Sequence, residues 1–138
     1  MSAGTPLVTG STTQVQGRFN LHTLHYPFVA DQAARHGGPG QAPGAAELFL
    51  GSLIACAFGI MQRTAREAGL GLQRIDAEAS YKVHPEDRTR FEWIRMAFTV
   101  TGLPQAEAES LVAAFKAQCP IYNTAARTTP TEVTTALG

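Results

Sequence analysis

The stretch Ala45-Ala-Glu-Leu-Phe-Leu-Gly-Ser-Leu-Ile-Ala-Cys56-Ala-Phe-Gly-Ile-Met61-Gln-Arg-Thr-Ala-Arg-Glu-Ala68 decides the fold. It holds no proline, and from Leu48 to Met61 it is apolar almost all round a helical wheel, broken only by Gly51, Ser52 and Gly59. A helix with no polar side must be covered on every face by protein or lipid. Leu48–Met61 is too short to span a bilayer comfortably, so the run predicts a buried core helix. Its second half, with Gln62, Arg63, Arg66 and Glu67, turns amphipathic and basic, and Gly69 stands where a C-terminal cap belongs.

Downstream, Ile75, Ala77, Ala79, Tyr81 and Val83 alternate with Asp76, Glu78, Ser80 and Lys82, one dry and one wet face of a strand. Ile94, Met96, Phe98 and Val100 repeat the pattern, and His84 to Arg90 between them reads as an antiparallel hairpin loop. Pro104 opens a helix in which Ala108, Leu111, Val112, Phe115 and Cys119 form one apolar stripe, so Cys119 is predicted to point inward. Pro120 ends or kinks that helix, and Thr131 to Leu137 is expected to close the chain as an edge strand. Upstream, the first dozen residues are expected to be loose, an extended segment to begin at Thr13-Gln14-Val15-Gln16, and Phe19 to Val29 to form one or two strands. Gly37, Gly38, Pro39, Gly40, Pro43 and Gly44 make Asp31 to Gly44 a loop.

Hairpin-linked strands with two helices imply an α+β domain over residues 1–138 with an antiparallel sheet packed on helices. One small sheet covers one side of the apolar helix, so a second copy of the chain is expected on the other, giving a homodimer.

Composition narrows the partners. Eleven Lys+Arg balance eleven Asp+Glu, so no basic field favours nucleic acid or an anionic membrane. The 138 residues, 44% of them hydrophobic, suffice for a core without disulfide or metal staples. Met1-Ser2-Ala3-Gly4-Thr5-Pro6 lacks a basic segment followed by an apolar one, which argues for a cytosolic protein. In a reducing compartment Cys56 and Cys119 are either inert buried thiols or redox groups. A peroxide-reducing cysteine must be a thiolate, reachable, and near a second thiol. Cys56 lies mid-helix, where the helix dipole is of no help, so a cation must lower its pKa. Arg63, seven residues on, shares its face, and Arg18 or Arg35 would have to arrive by folding. His22 and His25 fall on opposite faces of a strand and make no metal pair, the Gly37–Gly44 loop spells no phosphate cradle, and Trp93 lacks a basic surround. No metal or cofactor is expected.

Pro43-Gly-Ala-Ala-Glu47-Leu-Phe-Leu-Gly-Ser-Leu-Ile-Ala-Cys56, preceded by Gly37-Gly38 and followed by Cys119-Pro120, resembles the OsmC/Ohr family, nearer its broad OsmC-like branch. The resemblance extends over nearly the whole chain. It implies antiparallel sheets wrapped around two long central helices in an intertwined homodimer, with active sites at the dimer interface. The best-known members are thiol-dependent peroxidases for organic hydroperoxides in oxidative stress defence, without a cofactor. On that pattern Cys56 attacks the peroxide, Cys119 resolves the sulfenic acid as a disulfide, and a cellular dithiol reopens it. Phe49, Phe58 and Ile60 would help line an apolar funnel for the substrate. In the organic hydroperoxide resistance branch a carboxylate ten residues before the cysteine pairs with an N-terminal arginine. Here that position is Ala46, while Glu47 is nine before, on the opposite side of the helix from Cys56. Arg18 resembles the family arginine loosely. The alternative, favoured by Ala46, is a non-enzymatic dimeric module binding an apolar or acyl-like ligand.

Overall fold

The uninterrupted apolar run forms one helix, α1, at Ala45–Glu67. The computed structural model describes residues 4–138, and residues 1–3 of the expected loose N-terminal segment lie outside them. The chain divides into two compact units, one up to Phe49 and one from Leu50, with the division inside α1.

The first unit is a meander of β1 (Thr9–Thr12), β2 (Arg18–His22) and β3 (Pro27–Asp31), antiparallel throughout. The extended segment therefore starts before Thr13, and Thr13–Gln16 is a reversal. The Thr13 hydroxyl accepts from Val15 N at 3.1 Å, and Gly17 takes a positive φ of 78°, which favours glycine. After β3 the chain stays irregular apart from a short 3-10 turn at Ala34–His36. Gly38 is required there, because a Cβ on it would run into the Gln32 carbonyl.

The second unit contains β4 (Arg74–Val83), β5 (Phe91–Thr101), α2 (Gln105–Gln118), α3 (Pro120–Ala126) and β6 (Thr131–Leu137). β4 and β5 pair antiparallel, with Ile75 opposite Val100 and Tyr81 opposite Ile94. β6 joins the other edge of β5 but runs parallel to it, Ile94 beside Thr131. This corrects the expectation of antiparallel pairing throughout. The α2–α3 crossover is long enough to carry the chain back to the starting end of β5 before β6 begins.

The core of this unit is built from Ile94, Met96, Phe98 and Val100 of β5, Leu111, Val112 and Phe115 of α2, and Leu53, Ala57, Ile60, Met61 and Ala65 of α1. Phe98, Phe115 and Tyr122 form a chain of rings with centroids 5.7 and 5.0 Å apart. The α2 stripe is buried from Ala108 to Cys119 as its spacing predicts. Trp93 lies half-buried with Arg95 stacked 4.0 Å over its ring. By length and composition alone α1 is apolar enough to cross a membrane. One chain buries a single stripe of it, and Gly51, Ala55 and Gly59 are exposed, so the expected enclosure on every face is not met within one copy.

Candidate active site

Pro120 has no amide hydrogen with which to continue α2, and its fixed φ suits the first position of a new helix. Cys119 is thus the extended residue between α2 and α3, with φ −78° and ψ 114°. Because it continues the apolar stripe of α2, its side chain is turned inward and fully buried. Asn123 secures the corner, its Nδ2 donating to the carbonyls of Lys116 at 2.9 Å and Cys119 at 2.8 Å. The Lys116 carbonyl would otherwise lack a helical partner, because Pro120 has no amide hydrogen, while the Cys119 carbonyl also accepts from Asn123 N at 3.0 Å.

The corner delivers Cys119 onto the middle of α1. The Sγ atoms of Cys56 and Cys119 share a hydrogen bond at 2.6 Å, and both cysteines are free. Consecutive amides of α3 serve the pair. Ile121 N–H bonds Cys56, and Tyr122 N donates to Cys119 Sγ at 3.2 Å. Burial, together with the Cys119 hydrogen bond, pushes the Cys56 thiol above its ordinary pKa. The Ile121 amide and the Arg63 charge act in the opposite direction. Within the reduced pair the protonated dithiol is therefore favoured over the Cys56 thiolate.

The other expected site residues are placed as follows. Arg18 and Asp31 are register partners across β2 and β3. Arg18 Nε and NH2 donate to the two Asp31 carboxylate oxygens at 2.9 and 2.8 Å, a bidentate pair, and NH2 also donates to Gln41 Oε1 at 3.1 Å. Gln41 N donates to Asp31 Oδ2 at 2.9 Å. The Asp31 side chain is fully buried. The Arg18 hydrogen bond foremost holds its carboxyl down at about 2. Glu47 Oε1 accepts from Gly44 N at 3.1 Å, the local role of an acid in the first turn of a helix. Arg35 is exposed in the 3-10 turn. Ile60 is buried four residues after Cys56, Phe49 is half-buried seven before it, and half-buried Phe58 lies about 200° around the helix. Two grooves of the second unit, one beside Arg95 and Glu132 and one beside Arg66 and Leu72, include none of these three.

Asp31 was missed because it sits where the sequence turns irregular. A signal did exist: once a hairpin is centred between Leu24 and His25, positions 18 and 31 face each other.

A family model described as OsmC-like protein matches residues 38–134. The fold is similar to an OsmC-like protein from Mycoplasma pneumoniae (TM-score 0.84, 11% identity, 98% of each chain covered). It is also similar to a hypothetical protein from Aquifex aeolicus VF5 (0.83, 12%, 98% of this chain and 97% of that one). A third similar structure is an organic hydroperoxide resistance protein OsmC from Legionella pneumophila (0.75, 22%, 99% of each). No curated protein sequence matches the chain.

Proposed function

Because the chain belongs to the OsmC-like protein family, we propose that its sulfur pair reduces organic hydroperoxides to alcohols with electrons from a dithiol. The observation that carries this reading is the 2.6 Å approach of Cys56 and Cys119, held by a corner built for it. The Cys56 thiolate attacks the distal peroxide oxygen, the O–O bond breaks, and the alkoxide takes a proton and leaves as the alcohol. Cys56 is then a sulfenic acid. Cys119 sulfur displaces its hydroxyl group, water leaves, and the disulfide is later reduced by an external dithiol. That last step needs a reducing compartment, so a cytosolic setting goes with the proposal. Cys56 is the half-buried and Cys119 the fully buried member, which suits attack by the first and resolution by the second. Phe49 and Ile60 share the Cys56 face of α1 and would favour an alkyl peroxide over hydrogen peroxide, while Phe58 lies on the opposite face. Ala46 offers no carboxylate to the N-terminal arginine, but Arg18 has Asp31 instead. Nucleic acid and membrane are not proposed as partners.

The test follows the protein mass. Reduced protein given one equivalent of cumene hydroperoxide is expected to lose two hydrogens as the disulfide forms. Cys119→Ser is expected to stop at a sulfenic acid on Cys56 that dimedone traps, with dithiol-driven turnover strongly reduced. The binding-module reading draws on the raised Cys56 thiol. It predicts an unchanged mass in both proteins, and that result would displace the peroxidase.

The homodimer belongs to the same proposal. Gly51, Ala55 and Gly59 line an exposed side of α1, and space is open over both glycines. Light scattering at micromolar concentration is expected to give twice the 14.7 kDa chain mass. A monomer would leave that face unexplained and count against the dimer.

A further inference from the structure

Several groups act on Cys56. From the α2–α3 corner they are the Cys119 sulfur and the Ile121 amide, and from α1 itself the group is Arg63. Arg63 stands seven residues after Cys56, about two turns along the same face. Helical side chains lean toward the N-terminus, so a long side chain at 63 reaches back toward Cys56. Its guanidinium donates to Gln118 Oε1 at 3.1 Å. Gln118 is the last residue of α2 and the immediate neighbour of Cys119. The Arg63–Gln118 and Cys56–Cys119 contacts therefore tie the same two segments side by side.

The choice of anchor matters. A neutral amide oxygen fixes one arm of the guanidinium without cancelling its charge, whereas a carboxylate at 118 would neutralise it. Arginine suits the position because it stays charged at any working pH and has donors to spare. We infer that Arg63 is a positioning residue for the thiol pair: anchored on Gln118, it keeps a positive charge on the Cys56 face of α1 and registers that helix against the Cys119 corner. The inference rests on reading Cys56 as the reacting thiol. The anchor does not depend on a sulfur charge, so it persists when the pair is oxidised.

The test needs no peroxide. Reduced protein is alkylated with the neutral reagent iodoacetamide at neutral pH, and the rate at Cys56 is followed by peptide mass spectrometry. At low salt Arg63→Met is expected to react about two- to threefold more slowly, the effect of an exposed unit charge in a high-dielectric surround. Arg63→Lys should stay close to wild type, and Gln118→Glu should slow the reaction as Arg63→Met does. In 1 M salt, where charges more than about 3 Å apart are screened, the wild-type rate should fall to that of Arg63→Met. Equal rates at low salt, or a gap that 1 M salt leaves unchanged, would overturn the inference, the latter because it marks a packing effect. If Arg63→Met does not fold by circular dichroism, the wild-type salt dependence decides, and a rate that ignores salt refutes it. Alkylation effects in a protein that never reduces peroxide would sink the peroxidase and leave this inference standing. Peroxide turnover with unaltered alkylation would do the reverse.

Discussion

Cys56→Ser is expected to lower dithiol-driven consumption of cumene hydroperoxide to the background rate, a loss on the order of 10³-fold or more. Sulfur can accept the peroxide oxygen and release it again through a disulfide, while a serine hydroxyl has no accessible oxidised state. The substitution is nearly isosteric at a half-buried position, so the fold should survive it. Circular dichroism together with the peroxide assay separates chemistry from folding. A variant as fast as wild type would show that Cys56 is not the nucleophile. Cys119, wholly buried and one covalent step away, is expected to be reached by peroxide only after Cys56 has reacted.

The second large effect lies in the β2–β3 hairpin. Asp31→Ala leaves Arg18 facing a buried space without its bidentate partner and strips Gln41 N of its acceptor. The Arg18 side chain is 30% exposed and keeps its Gln41 hydrogen bond, so the loss is smaller than for a wholly buried pair, and a melting-temperature drop on the order of 5 °C is expected by calorimetry. Asp31→Asn, which keeps the shape and one acceptor, should lose less. The same pair predicts acid sensitivity. The Asp31 carboxyl is depressed to about 2 in the fold, so its stabilisation is complete above the ordinary carboxylate range near 4. That contribution is lost as pH falls from about 4 toward 2, and Asp31→Ala should flatten this part of the stability curve. An unchanged acid limb in the variant would show that other carboxylates govern it.

Most of the fold was legible because it is written in local periodicity. The two-residue alternation of Ile75 to Val83 and of Ile94 to Val100 gave the hairpin, and the α2 stripe put Cys119 inside. The direction of β6 was not legible, since a strand's pattern is the same whichever way it runs beside its neighbour. Nor was α3: Pro120 signalled an interruption, and only the Cys119 corner shows that the chain starts a new helix there. In the candidate site the two cysteines were readable from helix position, but their electrostatics were not. Arg18 carries no mark of Asp31 until register is known, and Gln118 becomes an anchor for Arg63 only when α1 and α2 meet.

The sequence by itself determined that an apolar helix carries Cys56, that a second helix points Cys119 inward, and that Pro120 follows it. These are properties of neighbours within a few turns, fixed by side-chain spacing and by the missing proline hydrogen. Only the tertiary structure decided that the sulfurs stand 2.6 Å apart, that two amides of one turn serve them, and that Asp31 rather than Glu47 holds Arg18. Those depend on contacts between residues distant in the chain, where ångström-scale placement sets both hydrogen bonding and charge, and no local pattern encodes that placement.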